Sequence, residues 1–319
     1  MPEPIFFAAN EIAQQTQHSE KIAIQISSQT AYRQAVQSEK ARLDQLLRQL
    51  RQKNARPEVN HPSASFSPDA VSTPRSGTQL YHQRWAALRT GQLYTQLPPD
   101  SFWSAWNHVS DRQTYEQWRS LLQQEASTTA KLQGNQRLGI LLGDSISLWF
   151  PSDRLPKNQL WLNQGISGDT TGGILRRLSD FSGTRPQVIY VMAGVNDLKT
   201  GVSDRTILSN LQQIVLRLRQ THPQAQIVMQ SILPTGVLGL SNDHIYSLNQ
   251  QLRVIATQNG AYYLDVYSQM TDGYGNLRPE LTTDGLHLSA QGYATWQAIL
   301  HRADLQIAQT VLPGRDRPQ

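Results

Sequence analysis

Apolar residues between Arg137 and Leu300 follow two alternating rhythms. Short, mostly apolar runs occur at Arg137 to Leu142, Gln159 to Leu162, Gln187 to Met192, Gln226 to Ser231 and Ala261 to Leu264. Runs of this length, bounded by turn residues, predict strands buried on both faces, as in a parallel sheet. Between them apolar positions recur at helical spacing. Ile207, Leu211, Ile214, Val215 and Leu218 mark one face, and Ile245, Leu248, Leu252 and Ile255 mark another. A last helix starts after Ser289 as N-cap and carries Tyr293, Trp296, Ile299 and Leu300. Strand–helix alternation means βαβ units with right-handed crossovers. About five strands predict a three-layer α/β domain, since a barrel needs eight.

The N-terminal part reads differently. From Ala31 to Lys53, Tyr32, Val36, Leu43, Leu46, Leu47 and Leu50 stand at helical spacing. The stripe covers too few heptads for a coiled coil, so a solvated or docking helix is favoured over a self-associating one. Residues 54–79 are dominated by Pro, Ser, Asn and Thr and read as a disordered linker. Residues 80–130 hold four of the seven tryptophans: Trp85, Trp103, Trp106 and Trp118. Within them Asp111 to Glu125 predicts a helix, with Ser110 and Gln113 as capping box and Tyr115, Trp118, Leu121 and Leu122 on one face. These rings either line an acyl or sugar site or anchor short helices on the core, and anchoring is favoured. The expected division is a helical arm at 1–53, the linker at 54–79, an aromatic-rich helical segment at 80–130, the α/β domain at 131–309 and a tail at 310–319.

The 319 residues carry a formal charge of +5. That excess is small for the length, and no basic block or basic–aromatic alternation points to a nucleic-acid partner. The absence of Cys excludes disulfides and thiolate chemistry. No run of about 18 apolar residues predicts a membrane span. Met1 to Ala9 lacks the basic region and apolar length of a signal peptide, so the expected location is the cytoplasm.

Candidate chemistry clusters after the predicted strands. Gly143-Asp144-Ser145 follows the first, and Asn163-Gln164-Gly165-Ile166-Ser167-Gly168 the second. Gly194-Val195-Asn196-Asp197 follows the third, and Asp284-Gly285-Leu286-His287 follows the fifth. The carboxyl ends of parallel strands share one rim, where open α/β sheets place their sites. Ser145 is a nucleophile candidate, and a serine hydroxyl needs an adjacent base. His287 has a suitable intrinsic pKa, and Asp284 in the same loop can fix its tautomer. Oxyanion donors are expected from the backbone N–H of Ser145 and of Gly165 and from the Asn196 side-chain amide. Each residue also has a plainer reading. Gly165 and Gly168 can serve backbone geometry alone, Asn196-Asp197 can be an Asx turn, and Asp169 can cap the helix predicted from Thr170 to Phe181. Ser147 and Ser167 are rival hydroxyls away from the strand corner, and His244 is explained by a helix start. Asp284 and His287 could bind a metal, but no third ligand stands at helpful spacing, so no metal is expected. The pattern is not the Gly-x-Ser-x-Gly elbow, because Ser147 stands two residues after Ser145 and the acid lies beside the histidine.

In order and spacing, Ser145, Gly165, Asn196 and the Asp284/His287 pair resemble the four blocks of the SGNH hydrolases, the GDSL-type esterase/lipase superfamily. Ile146 replaces the Leu of the GDSL name. The run from Asp284 to Tyr293 is similar to a bacterial esterase branch that includes platelet-activating-factor acetylhydrolase-like proteins. The resemblance spans about residues 135–305. It implies a flavodoxin-like sheet and ester hydrolysis through an acyl-serine, without metal or other cofactor and often on small acyl groups. A small ester, an acylated glycan or a lysolipid would then be the substrate. Acyl transfer to a glycan hydroxyl and a non-catalytic binding module are the competing readings.

Overall fold

A computed structural model describes residues 73–311, with side chains described through Leu305. All of them belong to one unit, Asp69–Gln319. The predicted helix of the 1–53 arm, most of the 54–79 stretch and nearly all of the 310–319 tail lie outside the described residues.

The first described helix, α1 (Gly77–Arg89), begins inside the stretch read as linker, because the Ser76 hydroxyl accepts the Gln79 N–H and caps it. A short α2 (Trp103–Trp106) and a long α3 (Tyr115–Leu132) follow. The α3 start is later than the apolar spacing suggested. Thr114 and Gln117 form the capping box, while the Gln113 side chain donates to its neighbour's carbonyl at Asp111.

The remainder alternates as the pattern requires. In order come β1 (Leu138–Gly143), α4 (Ser145–Leu148), β2 (Leu160–Gly165), α5 (Thr171–Arg176), β3 (Val188–Met192) and α6 (Val195–Lys199). Next are α7 (Asp204–Thr221), β4 (Gln226–Gln230), α8 (Asn242–Gln258), β5 (Tyr262–Leu264), α9 (Tyr267–Met270) and α10 (Ala290–Val311). The five strands pair in parallel in the order β2-β1-β3-β4-β5, a flavodoxin-like sheet. The order reverses at β1, which pairs with both β2 and β3, so the loops after these three strands meet at the switch point.

Alternate strand residues feed two cores. Ile140, Leu142, Ile189, Val191, Ile227 and Met229 pack under Ile207, Leu211, Ile214, Val215 and Leu218 of α7. Leu141, Tyr190, Met192 and Val228 face Tyr293, Trp296, Ile299 and Leu300 of α10. Strand β2 runs to Gly165, past the apolar end at Leu162, because its polar residues find partners. Asn163 Nδ2 donates to the Ser147 carbonyl at 2.7 Å and Gln164 Nε2 to the Leu122 carbonyl at 3.2 Å.

A third core joins the N-terminal helices to the sheet. Leu80, Ala87, Tyr94, Trp118, Leu121 and Leu122 pack with Leu148 and Ile166. Polar anchors hold this layer along the outer edge of β2. Thr95 Oγ1 donates to the Trp161 carbonyl at 2.7 Å, and the Arg84 guanidinium donates to the Asn163 carbonyl at 2.7 Å. Arg84 is fully buried, paired with Glu125 at 2.5 Å and stacked over the Tyr94 ring. The β2 edge of the sheet is thereby covered.

Candidate active site

Strand β1 ends where Asp144 turns the chain into α4. Its carboxylate accepts the Ile146 N–H at 2.9 Å, and Ser145 becomes the first residue of the helix. First-turn N–H groups have no acceptor inside a helix, so the Ser145 N–H faces the rim. Ser145 itself is 7% exposed. The loop between β5 and α10 brings His287 to it, with Nε2 3.1 Å from Ser145 Oγ. On the far side of the ring, Nδ1 lies 2.7 Å from Asp284 Oδ2. A carboxylate can only accept here, so the ring proton sits on Nδ1 and Nε2 is left to accept from the serine hydroxyl.

Asp284 is held by its own loop. Its Oδ1 accepts the N–H groups of Leu286 at 3.0 Å and His287 at 2.7 Å. Slight burial pushes its pKa up, but the hydrogen bonds from the His287 ring and from these two N–H groups outweigh that and bring it down to about 2. The group is ionised at any ordinary working pH. Outside the loop, the Gly285 carbonyl accepts the Thr235 hydroxyl at 2.8 Å and the Gly236 N–H at 2.7 Å, which ties the Asp–His turn to the segment after β4.

The loops after β2 and β3 meet beside the serine. Asn196, in the first turn of α6, donates through Nδ2 to the Asp169 carbonyl at 3.0 Å and to Asp144 Oδ2 at 3.3 Å. Its amide is therefore fixed at the rim. Gly165 does not suit the donor role expected of it. It is the last residue of β2, and its N–H is committed to Asn163 Oδ1 at 2.9 Å. It is glycine for packing: a Cβ there would lie 2.3 Å from the Leu148 nitrogen. Gly168 is exposed together with Ser167 and stands at φ +78° in a turn closed by the Asp169 N–H on the Ile166 carbonyl. That is the third position of a type II turn, which demands glycine. Among the described residues the Gly168 N–H meets no acceptor. The sequence signal was present in Ile166-Ser167-Gly168-Asp169, a turn motif adjoining the residue that Asn196 grips.

Three buried carboxylates surround this corner, and sequence reasoning gave roles to none of them beyond capping. Asp169 pairs with Arg177 at 2.7 Å, and Arg177 also donates to the Gly143 carbonyl. Burial raises the Asp169 pKa against that pairing. Asp197 accepts the Thr171 N–H at 2.8 Å and the Thr171 hydroxyl at 2.6 Å, which pins α5 to α6. Among the described residues Asp144 has no ion-pair partner. Burial pushes its pKa up to about 7 despite the Ile146 N–H.

The rival residues lie elsewhere. Ser147 is a buried residue of α4, and His244 pairs with Asp204 on the surface at 2.9 Å. Asp169 accepts the Thr170 N–H, but the cap of α5 is the Thr170 hydroxyl, which accepts from Gly173.

Residues 141–295 match the model of the GDSL-like lipase/acylhydrolase family. The match supports placing this stretch in the SGNH superfamily. Over 153 residues the chain is 29% identical to the platelet-activating factor acetylhydrolase IB subunit alpha1 of Pongo abelii. That match covers 46% of the chain and 64% of the relative, so the chain spans less than two thirds of the relative's length. A solved Streptococcus pneumonia structure, described as a candidate platelet activating factor, is 27% identical with a TM-score of 0.54. It covers 59% of this chain and 93% of its own. A GDSL-like lipase from Bacteroides thetaiotaomicron shares the fold at a TM-score of 0.50 and 20% identity, over 61% of this chain and 100% of its own. The family match begins in β1, so the layer at 73–132 lies outside the GDSL-like region. Among the described residues no helix is long and apolar enough to cross a membrane.

Proposed function

We propose that the chain is a serine esterase that cleaves carboxylic esters of short acyl groups through an acyl-enzyme. The observation that carries this reading is the relay from Ser145 Oγ through His287, 3.1 Å on one side of the ring and 2.7 Å to Asp284 on the other. His287 takes the serine proton as Oγ attacks the ester carbon, and Asp284 stabilises the imidazolium that forms. The Ser145 and Gly168 N–H groups are the donors for the oxyanion, and the Asn196 amide joins them by giving up its long 3.3 Å contact with Asp144 Oδ2. His287 then gives its proton to the leaving alcohol, and water repeats the cycle to release the acid.

The test is turnover of p-nitrophenyl acetate by the purified chain. The Ser145→Ala variant should lose at least roughly 10³-fold in kcat, as removal of an activated nucleophile does. A variant that keeps full activity would refute the assignment.

A further inference from the structure

A cavity of about 500 Å³ opens directly off the His287 ring. One wall comes from the layer outside the family match, with Leu80, Tyr94 and Pro99. Leu148 and Trp149, one helical turn beyond Ser145, also line the cavity. Ser145, Asn196 and Gly168 are not among its lining residues, so it adjoins the histidine and stands away from the oxyanion donors. From this placement we infer that the cavity is the binding pocket for the leaving alcohol, and that the layer at 73–132 selects esters with a sizeable, mainly apolar alcohol. The inference rests on the esterase reading of Ser145 and His287 and names the part of the substrate which that reading leaves open.

The chemistry fixes which product occupies the space. When Oγ bonds to the ester carbon, its proton moves to His287 Nε2. When the tetrahedral intermediate collapses, the bond between the carbon and the alkoxy oxygen breaks with its electron pair on oxygen. That oxygen takes the same proton from Nε2, and neutral alcohol leaves. It must therefore lie within hydrogen-bond reach of the imidazole as it departs. The space adjoining the imidazole receives it, and the acyl group stays on the serine.

The pocket is built before substrate arrives. Gln83 Nε2 donates to the carbonyls of Pro99 at 2.7 Å and Ser101 at 3.1 Å, which sets the rim loop against α1. The Thr95 and Arg84 contacts to β2 hold the same wall. A volume of this size is that of a small-molecule site and far exceeds the needs of a methyl group.

The experiment compares two ester series on the full chain: alkyl acetates from methyl to hexyl, and methyl esters from acetate to hexanoate. Burial of the alcohol raises kcat/KM by up to about fourfold per methylene. The hexyl over methyl ratio in the acetate series should therefore exceed about tenfold, with a much flatter acyl series. Leu80→Trp fills the pocket from inside, and Pro99→Trp fills it from the half-exposed rim, where folding is not at stake. Each should cut the alcohol ratio at least about fivefold and leave the acyl ratio in place. Fluorophosphonate labelling of Ser145 separates the two readings. A labelled enzyme with a flat alcohol series, or variants that move the acyl ratio instead, would overturn the pocket assignment alone. An enzyme that neither labels nor turns over any ester would overturn the esterase reading and the pocket with it.

Discussion

The Thr235 hydroxyl donates to the Gly285 carbonyl at 2.8 Å, between the segment that follows β4 and the turn that carries Asp284 and His287. Thr235 is 3% exposed, and Asn242 holds its backbone N–H and carbonyl at 2.9 and 3.1 Å. Thr235 touches no reacting atom; it is a positioning residue. Thr235→Val removes the donor to Gly285, worth about 1 kcal/mol, together with the acceptor of the Val237 N–H at 3.0 Å, and leaves the Gly236 N–H to hold the turn. We expect kcat for a short ester to fall about threefold to tenfold with KM little changed, and Thr235→Ser to restore it. A Thr235→Val enzyme with unchanged kcat would show that the turn holds itself.

The two loop glycines should separate stability from activity. Gly165→Ala places a methyl 2.3 Å from the Leu148 nitrogen and 2.8 Å from the Asp144 carbonyl oxygen, both backbone atoms with no room to move. Overpacking of this kind costs about 1–3 kcal/mol, so Tm should fall by several degrees. Gly168→Ala meets no atom within 4 Å but must hold φ +78°, at a cost of about 1 kcal/mol. Its kcat should fall more steeply than its Tm if that N–H binds the oxyanion. Thermal melts and ester kinetics on both variants settle the comparison.

The buried Asp144 carboxyl should make stability depend on pH. Its folded-state pKa of about 7 lies above the ordinary carboxylate range because burial disfavours the anion. The folded chain therefore binds more protons than the unfolded chain between about pH 4 and 7, and stability falls as pH rises through that window. Asp144→Asn cannot ionise and keeps an oxygen for the Ile146 N–H. Its Tm relative to the parent should improve between pH 4 and pH 8. A difference that stays constant with pH would refute the assignment.

The Arg84–Glu125 pair should behave as a buried ion pair whose members need each other. Arg84→Met leaves Glu125 charged and almost fully buried, at a cost of about 3–5 kcal/mol. A loss of roughly 10 °C in Tm is expected from thermal unfolding. The double variant Arg84→Met/Glu125→Leu should recover most of it. If the double variant is no better than the single, the contact of Arg84 with the Asn163 carbonyl carries the stability instead.

Apolar spacing alone determined the sheet, its parallel sense and the helices α7, α8 and α10, because side-chain period reports directly which faces are buried. It also brought Ser145, Asn196, Asp284 and His287 to one rim, since strand ends in a parallel sheet share an edge. Three features needed the tertiary structure. The end of β2 was hidden because Asn163 and Gln164 look like loop residues until their partners in other elements are known. Gly165 and Gly168 are the same residue type three positions apart. Only packing against Leu148 and the φ of the turn distinguish the buried spacer from the exposed turn residue. The role of the 73–132 layer was likewise out of reach, because Thr95 and Arg84 bind backbone carbonyls of β2, and a carbonyl carries no sequence signature. Local pattern encodes burial and turn propensity, whereas the choice of hydrogen-bond partner is made between residues distant in the chain.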